Sequence, residues 1–138
     1  MRRSILIAIL LTCANAFGAP EDGPLARCMK ADGSRPGRLA CYSNRLAALE
    51  HEQKKLVEQI QHALSDPPPE AVDYELAKVN LSKAQAAWAK FYVADCQFGA
   101  NVFGGGNGGA EQELDCNVRH FETRNNDLKK LYRDFLSR

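Results

Sequence analysis

Cys96 and Cys116 stand at the two edges of a segment that carries six glycines between Gly99 and Gly109. A glycine density of this kind breaks regular structure, so the chain cannot be expected to run through it as one element. On both sides the apolar residues recur at helical spacing. The stretch therefore reads as helix, loop, helix, with a cysteine at each edge of the loop.

Three helical patterns account for most of the chain. The first spans residues 38–65, where Leu39, Tyr42, Leu46, Leu49, Leu56, Ile60 and Ala63 fall on alternating steps of three and four and only Gln53 interrupts the row. Arg45, Glu50, Glu52, Lys54, Lys55 and Glu58 fill the other faces, giving a heptad-like seam. Asp66-Pro67-Pro68-Pro69 ends it, because proline lacks the backbone donor and biases the residue before it away from helix. The second pattern spans 70–98. Glu70, Asp73 and Glu75 sit on its opening turns, where the helix dipole favours negative charge. Val72, Leu76 and Val79 begin its apolar face, and Leu81, Ala84, Trp88, Phe91 and Asp95 continue it on a shifted stripe. The third starts near Ala110 and runs to the C-terminus, with a seam of Leu114, Val118, Phe121, Asn125, Leu128, Leu131 or Tyr132, and Phe135. No segment alternates with period two. The expected fold is all-α: an antiparallel three-helix bundle with a disulfide-stapled N-terminal arm and a glycine-rich loop before the last helix.

The N-terminus reads as an export signal. Arg2 and Arg3 precede the apolar run Ile5–Leu11, and Ala14-Asn15-Ala16 fits the small-x-small cleavage rule. About ten apolar residues are too few for a hydrocarbon core that needs roughly twenty, so no membrane span is expected. Residues 1–16 are taken as the signal peptide, with cleavage as late as residue 19, leaving an arm over 17–37 and a helical domain over 38–138. Leu10-Leu11-Thr12-Cys13 approaches a lipobox, but Thr12 fits it poorly, so a lipid anchor at Cys13 is the lesser alternative.

Removal of the signal leaves Cys28, Cys41, Cys96 and Cys116. An even count in an exported chain reads as disulfides rather than thiol chemistry. Three pairings are open, of which the two local ones, Cys28–Cys41 and Cys96–Cys116, are favoured. Each closes a loop of roughly 14 to 21 residues, a closure that chain entropy values at about 3 kcal/mol. Loss of Arg2 and Arg3 also moves the formal charge from +1 to −1, which argues against nucleic acid or an anionic membrane as partner. The local distribution is more telling: no Lys or Arg lies between Lys90 and Arg119, whereas Asp95, Glu111, Glu113 and Asp115 all do.

Catalytic and cofactor chemistry finds little footing. The run Gly104-Gly105-Gly106-Asn107-Gly108-Gly109 lacks the Lys-Ser or Lys-Thr pair and the preceding strand of a phosphate loop. Cys116 and His120 have metal-ligand spacing on one helix face, but no second ligand pair accompanies them and a disulfide accounts for Cys116. His51 and His62 are the other histidines, and no serine lies in a nucleophile elbow. No enzyme activity, cofactor or metal is expected. Trp88 has core spacing, Gln85 is placed to bridge helices by a hydrogen bond, and Arg124 is expected to pair with Asp95 or an acid of the first helix. Glu111, Glu113 and Asp115 occupy the first turns of a helix, where carboxylates are also stabilising for local reasons.

Taken together, Cys28, Cys41, Ala84-Gln85-x-x-Trp88, Cys96, the glycine pairs, Cys116 and Arg124 resemble the lysozyme inhibitor LprI-like domain family of exported bacterial proteins. Cys96 follows Ala84 by twelve residues and Arg124 follows Cys116 by eight, as in the family pattern. The chain departs from it at Gln53 and Leu56, at Phe91-Tyr92-Val93, and at Phe121, where relatives often carry Asn and Tyr, Tyr-Arg-Asp, and Thr. The resemblance implies a periplasmic or secreted protein that binds lysozyme and blocks its glycan cleft, with Ala84, Gln85, Trp88 and Arg124 in structural roles. Lysozymes are usually cationic and cleave glycan between two carboxyl groups. Gly104, Gly105, Gly106, Asn107, Gly108 and Gly109, with Glu111, Glu113 and Asp115, are accordingly expected to form an acidic loop that is steered into that cleft. The alternative is an envelope interaction module with no effect on lysozyme, for which the seam of the first helix offers a dimerisation face.

Overall fold

The computed structural model describes residues 23–65, 73–104 and 106–136. The expected signal peptide, Cys13, the proline run and Gly105 lie outside the described residues, as does the side chain of Asn107. The described residues form four α-helices and no strand: α1 (Pro24–Ala31), α2 (Arg35–Ala63), α3 (Tyr74–Val102) and α4 (Gly106–Leu131), the last followed by a π-helical turn over Tyr132–Leu136.

Local chemistry sets the helix starts. The expected arm contains α1, an eight-residue helix that opens on Pro24, whose fixed φ suits a first turn. Helix α2 begins at Arg35, earlier than the seam indicates, because Ser34 caps it by accepting from the Gly37 amide at 3.2 Å. Asp73 caps α3 by accepting from the Leu76 amide at 2.8 Å, so this acid precedes the helix instead of lying within it. The disulfide Cys28–Cys41 ties α1 to α2, and Cys96–Cys116 ties α3 to α4.

The apolar seams meet in two clusters. Leu56, Ile60, Leu64 and Leu128 form one, covered by Tyr74, Ala77, Leu81 and Tyr132. Leu49, Val118 and Phe121 form the other, covered by Leu25, Tyr42, Leu46, Trp88 and Tyr92. Contacts advance together along α2 and α4, from Arg38 with Glu111 and Arg45 with Glu122 to Glu52 with Lys129. Along α3 and α4 they run oppositely, from Cys96 with Cys116 to Trp88 with Phe121 and Gln85 with Arg124. The seam of α4 ends differently from its sequence pattern. Tyr132 and Leu136 pack on the first cluster, while Leu131 and Phe135 are exposed, because the wider π turn rotates the buried face by part of a residue.

Between the two clusters lies a polar layer. Gln53, the residue that interrupts the α2 seam, is buried there with Asn125 of α4, which is only 1% exposed. The Asn125 amide donates to the Leu49 carbonyl at 2.9 Å and to the Glu52 carboxylate at 3.1 Å. Lys129, 2.6 Å from Glu52, holds that carboxyl below its ordinary value of 4.5, and the Asn125 amide adds to the effect. This contribution to stability is complete above that value and fades as pH falls through the lowered one.

Asn125→Ala removes both interhelical hydrogen bonds and leaves a void in the layer. It is expected to lower the free energy of unfolding by about 1–3 kcal/mol, measured by urea denaturation of the oxidised protein.

Candidate functional site

The end of the molecule where α3 turns into α4 is tighter than its glycine content indicates. Helix α3 continues through Gly99 to Val102, and α4 already begins at Gly106, so the expected loop over 99–109 contracts, with a turn at Phe103 and Gly104 among the described residues. Phe103 donates to the Gly99 carbonyl at 3.2 Å and Gly104 to the Asn101 carbonyl at 3.0 Å, closing the last turn. Gly104 (φ 85°) and Gly106 (φ 63°) supply the left-handed backbone that reverses the chain. Gly109 serves a different purpose. It lies inside α4 against α3, where a Cβ would stand 2.9 Å from the Ala100 carbonyl oxygen. A glycine that reads as a loop residue is thus a point of close helix approach, which local sequence does not signal.

The acids of this end are largely engaged within the protein. Arg38 clasps Glu111 with two hydrogen bonds, Nε to Oε1 at 2.7 Å and Nη2 to Oε2 at 3.0 Å, and donates a third to the Gly33 carbonyl at 2.8 Å. The clasp holds the Glu111 carboxyl below its usual range and raises the guanidinium. Asp115 pairs with Arg119 at 3.1 Å, while Asp95 lies 2.9 Å from His120 Nε2. Burial pushes the Tyr42 hydroxyl up, and the charge of Asp115 adds to it. Glu113 is half-buried on the same helix. The acidity seen in the sequence is therefore offset in space by arginines from α2 and from the next turn of α4.

The motif residues gather along the α3–α4 seam. Gln85 does bridge the helices, accepting from Arg124 Nε at 2.7 Å. That bond replaces the expected Arg124 ion pair, since Asp95 belongs to His120. Trp88 packs on Tyr92 and meets Phe121 edge-on, with ring centroids 4.7 and 4.9 Å away. Ala84 is exposed beside an apolar groove that includes Leu81 and Leu131. Trp88, Phe91, His120, Thr123 and Arg124 line a second open groove of about 520 Å³. Cys96, Cys116 and His120 place their donor atoms within 4.8 Å of one another. The two sulfurs are bonded to each other, and a disulfide sulfur lacks the thiolate that makes cysteine a good ligand. The cluster fits a staple.

Sequence reasoning misses one feature of this end. Phe98, Val102 and Phe103 stand exposed beside the glycine turn. Their signal is present, since 98 and 102 continue the helical stripe of Phe91 and Asp95, but a helix ended at Gly99 hides it.

The chain matches the family model described as lysozyme inhibitor LprI over residues 28–128, and it belongs to that family. The matched region begins at the first disulfide cysteine and ends at Leu128 in the core of α4. No curated protein and no solved structure matches the chain significantly.

The two glycines of α4 can be told apart. Gly109→Ala is expected to lower stability by about 1–3 kcal/mol, because its methyl meets backbone that cannot move aside cheaply. Gly108→Ala, with nothing within 4 Å of its Cβ, is expected to be neutral or to stabilise by up to about 1 kcal/mol. Denaturant unfolding of both variants measures the difference.

Proposed function

We propose that this protein is an exported inhibitor that binds a host or competitor lysozyme and blocks its glycan cleft, protecting the bacterial cell wall. The observation that carries the reading is the family match over residues 28–128, which takes in both disulfides and the core of the helical domain. Such a protein works by occupying a surface and needs no reactive group, cofactor or metal of its own. Two disulfides favour an oxidising compartment, in keeping with a periplasmic or secreted location. No helix among the described residues is long and apolar enough to cross a membrane.

The contact surface in this reading is the α3–α4 end: Gly104–Gly109, with Glu111, Glu113 and Asp115 beside it. Cys96–Cys116 fixes this end before binding, so little conformational entropy remains to be lost on association. Glu111 and Asp115 are paired internally, which leaves Glu113 and Asp95 as the acids of this end that no arginine clasps. The competing reading is an envelope interaction module with no effect on lysozyme, and a dimer through the first helix would need that helix's seam. The α2 seam is spent on the core, where Leu49, Leu56 and Ile60 are buried.

The test is lysis of a peptidoglycan substrate by several lysozyme classes, with and without the oxidised mature protein. Dose-dependent inhibition of at least one class, saturating near one inhibitor per enzyme, is expected. A folded, oxidised protein that slows none of them would sink the proposal.

A further inference from the structure

We infer that Phe98, Val102 and Phe103 form an apolar anchor that seats in the lysozyme cleft, while the neighbouring acids remain at its rim. This rests on the inhibitor reading above. The three side chains are 68%, 67% and 63% exposed, and they share one end of one helix. Phe98 and Val102 lie one turn apart on the same face of α3, and Phe103 caps it. Large apolar residues grouped in this way on a protein surface mark a binding site more often than singly exposed ones do.

The anchor is held in place. The Cys96–Cys116 bond lies half a turn before Phe98, and Gly109 brings α4 onto the backbone of Ala100 between Phe98 and Val102. Backbone held just before the patch and within it means that its side chains meet a partner already in position, the condition under which aromatic groups become dominant contacts. Gly104 and Gly106, which follow, carry no side chain to cover the patch. Gly104 and Gly106 also let the chain fold back immediately, so the end stays narrow.

Charge selects among occupants. The segment from Phe91 to Val118 carries four acids and no lysine or arginine. Arg38 and Arg119, held by Glu111 and Asp115, and Arg35, whose charge also reaches Glu111, offset much of this, so a small negative excess remains. An anionic lipid surface would ask for the opposite balance, and a second copy of the same end would set acid against acid. A cationic enzyme fits. Within such an enzyme two carboxyl groups flank the scissile bond, and they repel an acid brought against them. The arrangement therefore divides the work: acids guide the approach, and apolar residues make the contact that must be broken on release.

The division is measurable with the oxidised mature protein, against a lysozyme that the unaltered protein inhibits, by surface binding kinetics at low and physiological salt. Phe98→Ser combined with Phe103→Ser is expected to raise the dissociation rate by on the order of 30-fold or more, with the association rate within about threefold. Val102→Ser should act in the same direction, and inhibition of lysis should fall in parallel. Glu113→Gln should slow association at low salt and leave dissociation unchanged. Val79→Ser, exposed near the other end of α3, is the control and should alter neither rate. Circular dichroism and thermal melting should be unchanged for the Phe98, Val102, Phe103 and Val79 variants, whose side chains are exposed. An unaltered dissociation rate in the Phe98/Phe103 variant overturns the anchor while leaving the inhibitor reading intact. If the unaltered protein binds no lysozyme, the anchor and that reading fall together. Self-association or binding to anionic vesicles that disappears in the same variant would assign the patch to another occupant and overturn the inference.

Discussion

The structure depends on a covalent bond more than its helical content implies. Helix α3 is 29 residues long, yet Cys96 is its only fully buried residue among those described. Tyr74, Ala77, Leu81, Trp88 and Tyr92 lean on the two clusters from the side without entering them. A helix with so little full burial gains less from the hydrophobic effect than α2, and Cys96–Cys116 adds a covalent tie to the partial packing of Trp88 and Tyr92 on α4. Closing a loop between cysteines 20 positions apart removes about 3 kcal/mol of disorder from the unfolded chain. Gly109 completes the arrangement by allowing the two backbones to approach.

The α2–α4 pair has a different basis. It is apolar at both ends, and its register is set in the middle by Asn125, which reaches across to the Leu49 carbonyl and to Glu52. A one-residue slide would take the Asn125 amide away from both acceptors while it stays buried, and an unmade buried hydrogen bond is costly. Arg38 with Glu111 and Arg45 with Glu122 repeat that register toward the N-terminal ends of the two helices. The same register brings Arg38 to the glycine turn. Structural specificity is thus gained at some cost in the negative charge that this end would otherwise present.

The strongly periodic features were legible in the sequence. The seams of α2 and α4 place Leu49, Leu56, Ile60, Val118, Phe121 and Leu128 in the core, and the two local cysteine pairs are those that form. What escaped are features that only the folded chain creates. Six glycines signal a break, but nothing local distinguishes Gly104 and Gly106, which turn the chain, from Gly109, which packs inside a helix. The partners of Glu111 and Arg124 lie 73 and 39 positions away, so a carboxylate that reads as a free loop acid is in fact clasped, and an arginine assigned to an acid goes to Gln85. The short α1 carries too few residues for its period to stand out. The exposed group of Phe98, Val102 and Phe103 is hidden for the same reason as the turn: Gly99 signals a helix end that the folded chain places at Val102.

These constraints give the account its central claim, that the Cys96–Cys116 bond holds the far end of α3, and hence the proposed binding surface, onto the α2–α4 pair. The direct measurement is hydrogen exchange on the Cys96→Ser/Cys116→Ser protein beside the oxidised one. Amides of residues 96–109 are expected to exchange at least about tenfold faster, while those of α2 from Leu49 to Ile60 keep their protection. Equal protection of residues 96–109 in both proteins would show that packing alone seats α3, and would contradict the account.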